Sequence, residues 1–165
     1  MKHLRIAFTG KSGSGKSTAA RHLCMTAGYE VLSFASPLRE LVSSLFGLDV
    51  HSAVKTPLVR KTLQDVGLAM RAVDPDVWIR QMADSLYALP PNAPVVVDDL
   101  RFLNEAAFLA QHGFYIVRLY RETLPVLTDG LSAHVSETEQ DSIVENDNIM
   151  AFSLEELISL VEELL

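Results

Sequence analysis

The sequence predicts an α/β fold: one domain built on a parallel five-stranded sheet with helices on both faces. Three observations carry this. Strand-like apolar runs alternate with helix-like ones along the chain, the order that a parallel sheet requires. One run, Val95-Val96-Val97, is apolar without interruption and ends in Asp98-Asp99, as strands covered on both faces do. The first strand leads straight into the glycine-rich stretch Gly10-Lys11-Ser12-Gly13-Ser14-Gly15-Lys16-Ser17-Thr18, which opens a helix.

The elements follow in order. Leu4-Arg5-Ile6-Ala7-Phe8 reads as a buried strand. Ser17 to Ala27 reads as a helix with Ala19, Ala20, Leu23 and Cys24 on its apolar face, stopped by Gly28. Tyr29 to Phe34 is a second strand. Ser36 looks like an N-cap with Pro37 at the first helical position, and Leu38, Leu41, Val42 and Leu45 recur at helical spacing up to Gly47. Thr56-Pro57 and Asp74-Pro75 repeat the cap-then-proline signal, and Ile79, Met82, Ala83 and Leu86 give the second of these helices an apolar face. Three helices thus lie between strands two and three, where one crossover would suffice. This excess, 36–89, reads as a substrate-binding insertion within the domain. After the Val95 strand, Arg101 to Gln111 is a helix ended by His112-Gly113, and Phe114 to Leu119 is a fourth strand. The segment 121–135, with Pro125 and Gly130, reads as a short lid loop. Ser136 with Glu139 forms a capping-box pattern, Ser142 to Glu145 is a weak fifth strand, and Ser153 with Glu156 caps a final helical stripe.

Composition narrows the function classes. The 165 residues suit one domain with a real core. A net charge of −7 argues against a nucleic-acid surface, although a few local arginines can still serve a small anionic ligand. The single cysteine, Cys24, excludes an internal disulfide and a cysteine-cluster zinc site, and its position reads as packing. No long apolar run marks a signal peptide or a membrane span, so a cytoplasmic protein is expected. Oligomeric state is not readable, and a homodimer stays open.

The glycine-rich stretch matches Gly, four free positions, Gly, Lys, Ser/Thr. Its glycines allow a tight cup whose N–H groups converge on phosphate oxygens. Lys16 then brings charge to the β- and γ-phosphates of a nucleoside triphosphate, and the Ser17 hydroxyl ligates Mg²⁺. The helix dipole adds a positive end. The plain alternative is a chance Gly/Ser turn, which the strand–loop–helix setting argues against. Asp98 and Asp99 stand at the carboxyl end of a central strand, where ligands of open parallel sheets bind, and one of them is expected to serve the metal. The alternative is that either caps the next helix.

Arginines grip phosphate bidentately. Arg39, Arg60, Arg71 and Arg80 fall in the insertion, while Arg101, Arg118 and Arg121 flank later strands. Any one of them can equally be a solvated surface residue. Phe34 and Trp78 read either as core or as base-stacking rings, and Gln64 and Asn104 either as base-edge readers or as surface hydrogen bonders.

Five segments together resemble the phage deoxynucleoside monophosphate kinases. They are Phe34-Ala35-Ser36-Pro37-Leu38-Arg39, Leu63-Gln64-Asp65-Val66-Gly67, Asp74-Pro75-Asp76-Val77-Trp78, Asp99-Leu100-Arg101-Phe102-Leu103-Asn104-Glu105 and His134-Val135-Ser136-Glu137. The resemblance implies a P-loop kinase fold with strand order 2-3-1-4-5. It implies transfer of the ATP γ-phosphoryl group to a deoxynucleoside monophosphate with Mg²⁺, with more than one base accepted, and a host-cytoplasmic location for a phage product. Phe34, Arg39, Arg60, Gln64, Arg71, Trp78, Asp99, Arg101, Asn104, His134 and Glu137 become acceptor-site candidates. Lys16, Arg101 and Arg121 become catalytic candidates, and Asn146 a neighbour of the ATP adenine. A P-loop kinase for another small metabolite, such as dephospho-coenzyme A, would share the fold. A GTPase-like regulatory module lacks support: Asp99 is followed by Leu-Arg-Phe rather than by an Asp-x-x-Gly pattern, and no Asn-Lys-x-Asp occurs.

Overall fold

Val95–Val97 is an interior strand of the sheet, paired on both sides, as its unbroken apolar character predicts. In the computed structural model, which describes residues 5–52, 55–120, 150–153 and 155–159, all three valines are fully buried. The strands are β1 (Arg5–Thr9), β2 (Glu30–Leu32), β3 (Val95–Val97), β4 (Phe114–Tyr120) and β5 (Met150–Ser153). They form one parallel sheet in the order β2-β3-β1-β4-β5, which is the order expected. β1 lies in register with β3 through Arg5 opposite Val95 and Ala7 opposite Val97. The fifth strand is therefore Met150–Ser153; the weak strand read at 142–145 lies outside the described residues.

Helices α1 (Lys16–Ala27) and α5 (Leu103–Gln111) belong to the same compact unit as the sheet, Met1–Ser33 with Leu89–Leu165. Phe8, Val96, Val117 and Leu119 from the sheet pack with Ala19, Ala20 and Leu23 of α1 and with Leu157 of the helical residues 155–159. Each large apolar side chain buried there contributes about 1.5–3 kcal/mol. Cys24 is exposed, contrary to its expected packing role. At 100° per residue it sits about 80° from Lys16, at the rim of a face centred on Lys16, Ala19, Ala20 and Leu23. Gly28, with φ +67°, ends α1 in the left-handed conformation that glycine adopts without strain.

Phe34–Ala88 forms the second compact unit, with α2 (Ser36–Phe46), α3 (Pro57–Val73) and α4 (Val77–Tyr87). Its core gathers Val42, Val50 and Val59 with Leu38, Leu48, Leu63 and Val66. Thr56 caps α3 as expected, its hydroxyl accepting from Val59 N–H at 3.3 Å. Two boundaries differ from expectation. Ser36 is already helical and Ala35 holds the cap position. Asp74 closes α3 and accepts from Asp76 N–H at 3.0 Å, so α4 starts two residues past Pro75. The buried stripe of α4 is Trp78, Met82 and Leu86, spaced by four. No helix among the described residues is long and apolar enough to cross a membrane.

Candidate active site

The phosphate loop joins β1 to α1. Gly10, Gly13 and Gly15 all have positive φ, at 133°, 85° and 99°. Gly10 has a second constraint: a Cβ there would lie 2.2 Å from the Leu119 carbonyl oxygen on β4. Gly15 is the N-cap of α1 and offers no side chain, and the first turn carries no acidic residue. The leading N–H groups of α1 thus have no side-chain cap, which is the arrangement that receives an anion. Lys16 is buried, and its ammonium donates to the carbonyls of Gly10 and, at 2.9 Å, Lys11. The Ser14 hydroxyl is buried with no hydrogen-bond partner among the described residues, while Lys11, Ser12, Ser17 and Thr18 are exposed.

The two aspartates after β3 face different partners. Ser17 Oγ donates to Asp98 Oδ2 at 2.8 Å. Adjacent oxygen ligands of an octahedral Mg²⁺ stand about 2.9 Å apart, given ligand distances of about 2.05 Å. The Ser17–Asp98 pair, both hard oxygen donors, fits that ion. Asp99 is only 8% exposed and accepts from Ser33 Oγ at 2.5 Å. Of the three metal candidates, then, Ser17 and Asp98 are brought together and Asp99 is not part of the pair. Ser33, a residue the sequence did not single out, directly follows β2. Arg101 follows on the same turn, and Asn104 Oδ1 accepts from Glu105 N–H at 3.0 Å, a local hydrogen bond at the start of α5. Arg118 lies on β4 in register with Thr9.

In the helical unit, Arg60, Gln64 and Arg71 share one face of α3, within about 40° around the axis at 100° per residue. Gly67 lies on that face too, where a Cβ would meet Leu38 Cδ2 of α2 at 3.1 Å, so the glycine lets the two helices approach closely. Arg39, on the first turn of α2, and Arg60 both act on Lys55. Partial burial, then these two guanidinium groups, lower the Lys55 ammonium below the usual lysine value, against an upward pull from Asp49. Lys55 went unnoticed in the sequence because a lysine in a polar loop carries no signal; only the folded chain sets it among arginines. Arg80 instead pairs with Asp74. Phe34 and Trp78 are 3% and 4% exposed, so both rings are core. Arg121, His134, Glu137, Asn146, the Ser136/Glu139 pattern and the 121–135 loop lie outside the described residues.

No protein-family model matches the chain. A mimivirus protein (Acanthamoeba polyphaga mimivirus) described as "Putative deoxynucleotide monophosphate kinase" is 31% identical over 170 aligned positions, covering 88% of this chain and 86% of that protein. An uncharacterized protein, ORF76, of Ictalurid herpesvirus 1 (strain Auburn) is 33% identical over 118 positions, covering 68% of this chain and 47% of that longer protein. Among solved structures, a gluconokinase from Sinorhizobium meliloti 1021 superposes with a TM-score of 0.52 at 15% identity, covering 99% of this chain and 94% of the other. TT1252 from Thermus thermophilus superposes with a TM-score of 0.53 at 20% identity, covering 100% and 99%. These two likenesses establish the fold.

Proposed function

The chain belongs to the deoxynucleotide monophosphate kinase family, and from that premise we propose that it transfers the γ-phosphoryl group of ATP to a deoxynucleoside monophosphate, giving ADP and the diphosphate. The observation that carries this reading is the complete phosphate loop, whose Ser17 hydroxyl donates to Asp98 at 2.8 Å. The loop N–H groups and Lys16 grip the triphosphate. Ser17 and Asp98 hold Mg²⁺, which when bound neutralises charge on the phosphates. Arg101 supplies charge to the phosphoryl group in flight, and Arg39, Arg60 and Arg71 bind the acceptor, with Gln64 beside them on α3. No general base is needed, because the attacking acceptor oxygen is already anionic; catalysis is positioning and charge stabilisation.

A coupled ADP-release assay with ATP, Mg²⁺ and a panel of deoxynucleoside monophosphates, with gluconate and dephospho-coenzyme A as competing acceptors, tests the reading. Turnover with one or more of the monophosphates is expected. Silence with all of them, or faster turnover of another acceptor, would overturn it. Lys16→Ala is expected to lower kcat about 10²–10³-fold, about 2.7–4 kcal/mol of transition-state stabilisation.

A further inference from the structure

The turn after β3 carries Asp98, Asp99 and Arg101 within four residues and has no regular structure of its own. Its backbone is held from outside. Asp98 N–H donates to Leu32 O at 3.4 Å and Leu100 N–H to Phe8 O at 3.2 Å, so the sheet holds its first half. Its second half is held by a side chain. The N–H groups of Arg101 and Phe102 both donate to Oε2 of Glu105, at 3.0 and 3.1 Å.

Glu105 is 1% exposed and among the largest fully buried side chains of the described residues. A carboxylate is buried at high cost unless its oxygens are bonded. An acid at the third position of a helix ordinarily accepts from the N-cap N–H, here that of Phe102. The bond to Arg101, one residue further out, is more than a cap requires. It ties the start of α5 to Arg101, the residue assigned above to the phosphoryl group. We propose that Glu105 is a positioning residue: it fixes the backbone from which Arg101 projects and thereby sets where the guanidinium meets the phosphoryl group. The inference rests on the role given to Arg101 above.

The test is a set of substitutions measured alone and in the Arg101→Ala background, reading kcat and both KM values with the best monophosphate acceptor. Thermal melting establishes that each variant is folded. Glu105→Gln keeps an acceptor oxygen at the same reach and is expected to stay within about threefold of the parent. Glu105→Asp withdraws the oxygen by one methylene and should lose about tenfold in kcat. Glu105→Met fills the volume without an acceptor and should approach the loss of Arg101→Ala, about 10²-fold, as a misplacement of about 1 Å does. The KM for ATP should not move. In the Arg101→Ala background the Glu105 substitutions should add almost nothing. Full additivity would overturn the proposal, since Glu105 would then act on stability alone, and so would unchanged kcat in Glu105→Asp. If Glu105→Met does not fold, the Asp and Gln pair carries the comparison. If Arg101→Ala is itself as active as the parent, the assignment of Arg101 fails and the inference with it, an outcome distinct from additivity.

Discussion

Gly10 serves two ends, and only one of them is about phosphate. Its φ of +133° suits a glycine turn, while its missing side chain lets the loop lie against the Leu119 carbonyl. A methyl group 2.2 Å from a backbone oxygen cannot be relieved by a rotamer change. Gly10→Ala is expected to cost about 2 kcal/mol or more, from strain and overpacking together, read as a lower melting temperature even without nucleotide. Asp98 and Asp99 are adjacent in sequence and distinct in partner, so they should separate in function. Asp98→Asn should raise the Mg²⁺ concentration for half-maximal activity about 10-fold or more, the scale at which groups around a metal act. Asp99→Asn should leave that concentration unchanged and alter acceptor kinetics instead. The reverse pattern in a magnesium titration would show the assignment to be wrong.

At the scale of elements, short hydrogen-bonded junctions decide where strands become helices. β5 ends at Ser153, whose N–H donates to Glu156 Oε2 at 2.7 Å while its hydroxyl accepts from Glu156 N–H at 3.2 Å. This is the capping box that the Ser-x-x-Glu spacing predicts. Tyr120 of β4 adds a weaker hydrogen bond at 3.4 Å. The bond from Ser153 N–H, foremost, holds the Glu156 carboxyl below its ordinary value. A carboxyl depressed in the folded state adds stability that is present above its unfolded pKa, about 4.3, and lost as pH falls through the lower folded value. Glu156→Gln should therefore flatten the acid side of the stability profile, seen as a smaller fall in urea midpoint between neutral and acid pH. In the helical unit, Gly67 plays the part that a cap plays elsewhere: it sets how closely α2 and α3 can pack, through Leu38.

For the whole molecule, a chain of net charge −7 handles anions through local concentrations of cations rather than through its overall field. The sheet unit holds the phosphate loop; the helical unit carries Arg39, Lys55, Arg60 and Arg71. A division of labour follows. Arg71→Ala and Lys55→Met are expected to raise the acceptor KM about 10-fold with little change in the KM for ATP. Thr18→Val on the loop is expected to shift the ATP constant instead. Bisubstrate kinetics on the three variants check this.

The α/β class, the three helices between β2 and β3 and the phosphate loop were all legible in the residues, because each depends on local periodicity, on glycine or on caps; the strand order was expected only through the resemblance to a known family. The caps at Thr56 and Ser153 were legible for the same reason, since a cap is satisfied within three residues. The exposure of Cys24, the shift of α4 past Pro75 and the place of the fifth strand were not, because small rotations and neighbouring strands settle them. Nor were the partners of Asp98 and Asp99, the grip of Glu105 on Arg101, or the cations around Lys55. Apolar spacing and turn chemistry are written in consecutive residues, so the sequence by itself determined the framework. The polar contacts join Ser17 to Asp98 across 81 positions and Ser33 to Asp99 across 66; only the folding of the sheet brings such residues within hydrogen-bond reach, and that was decided by the tertiary structure alone.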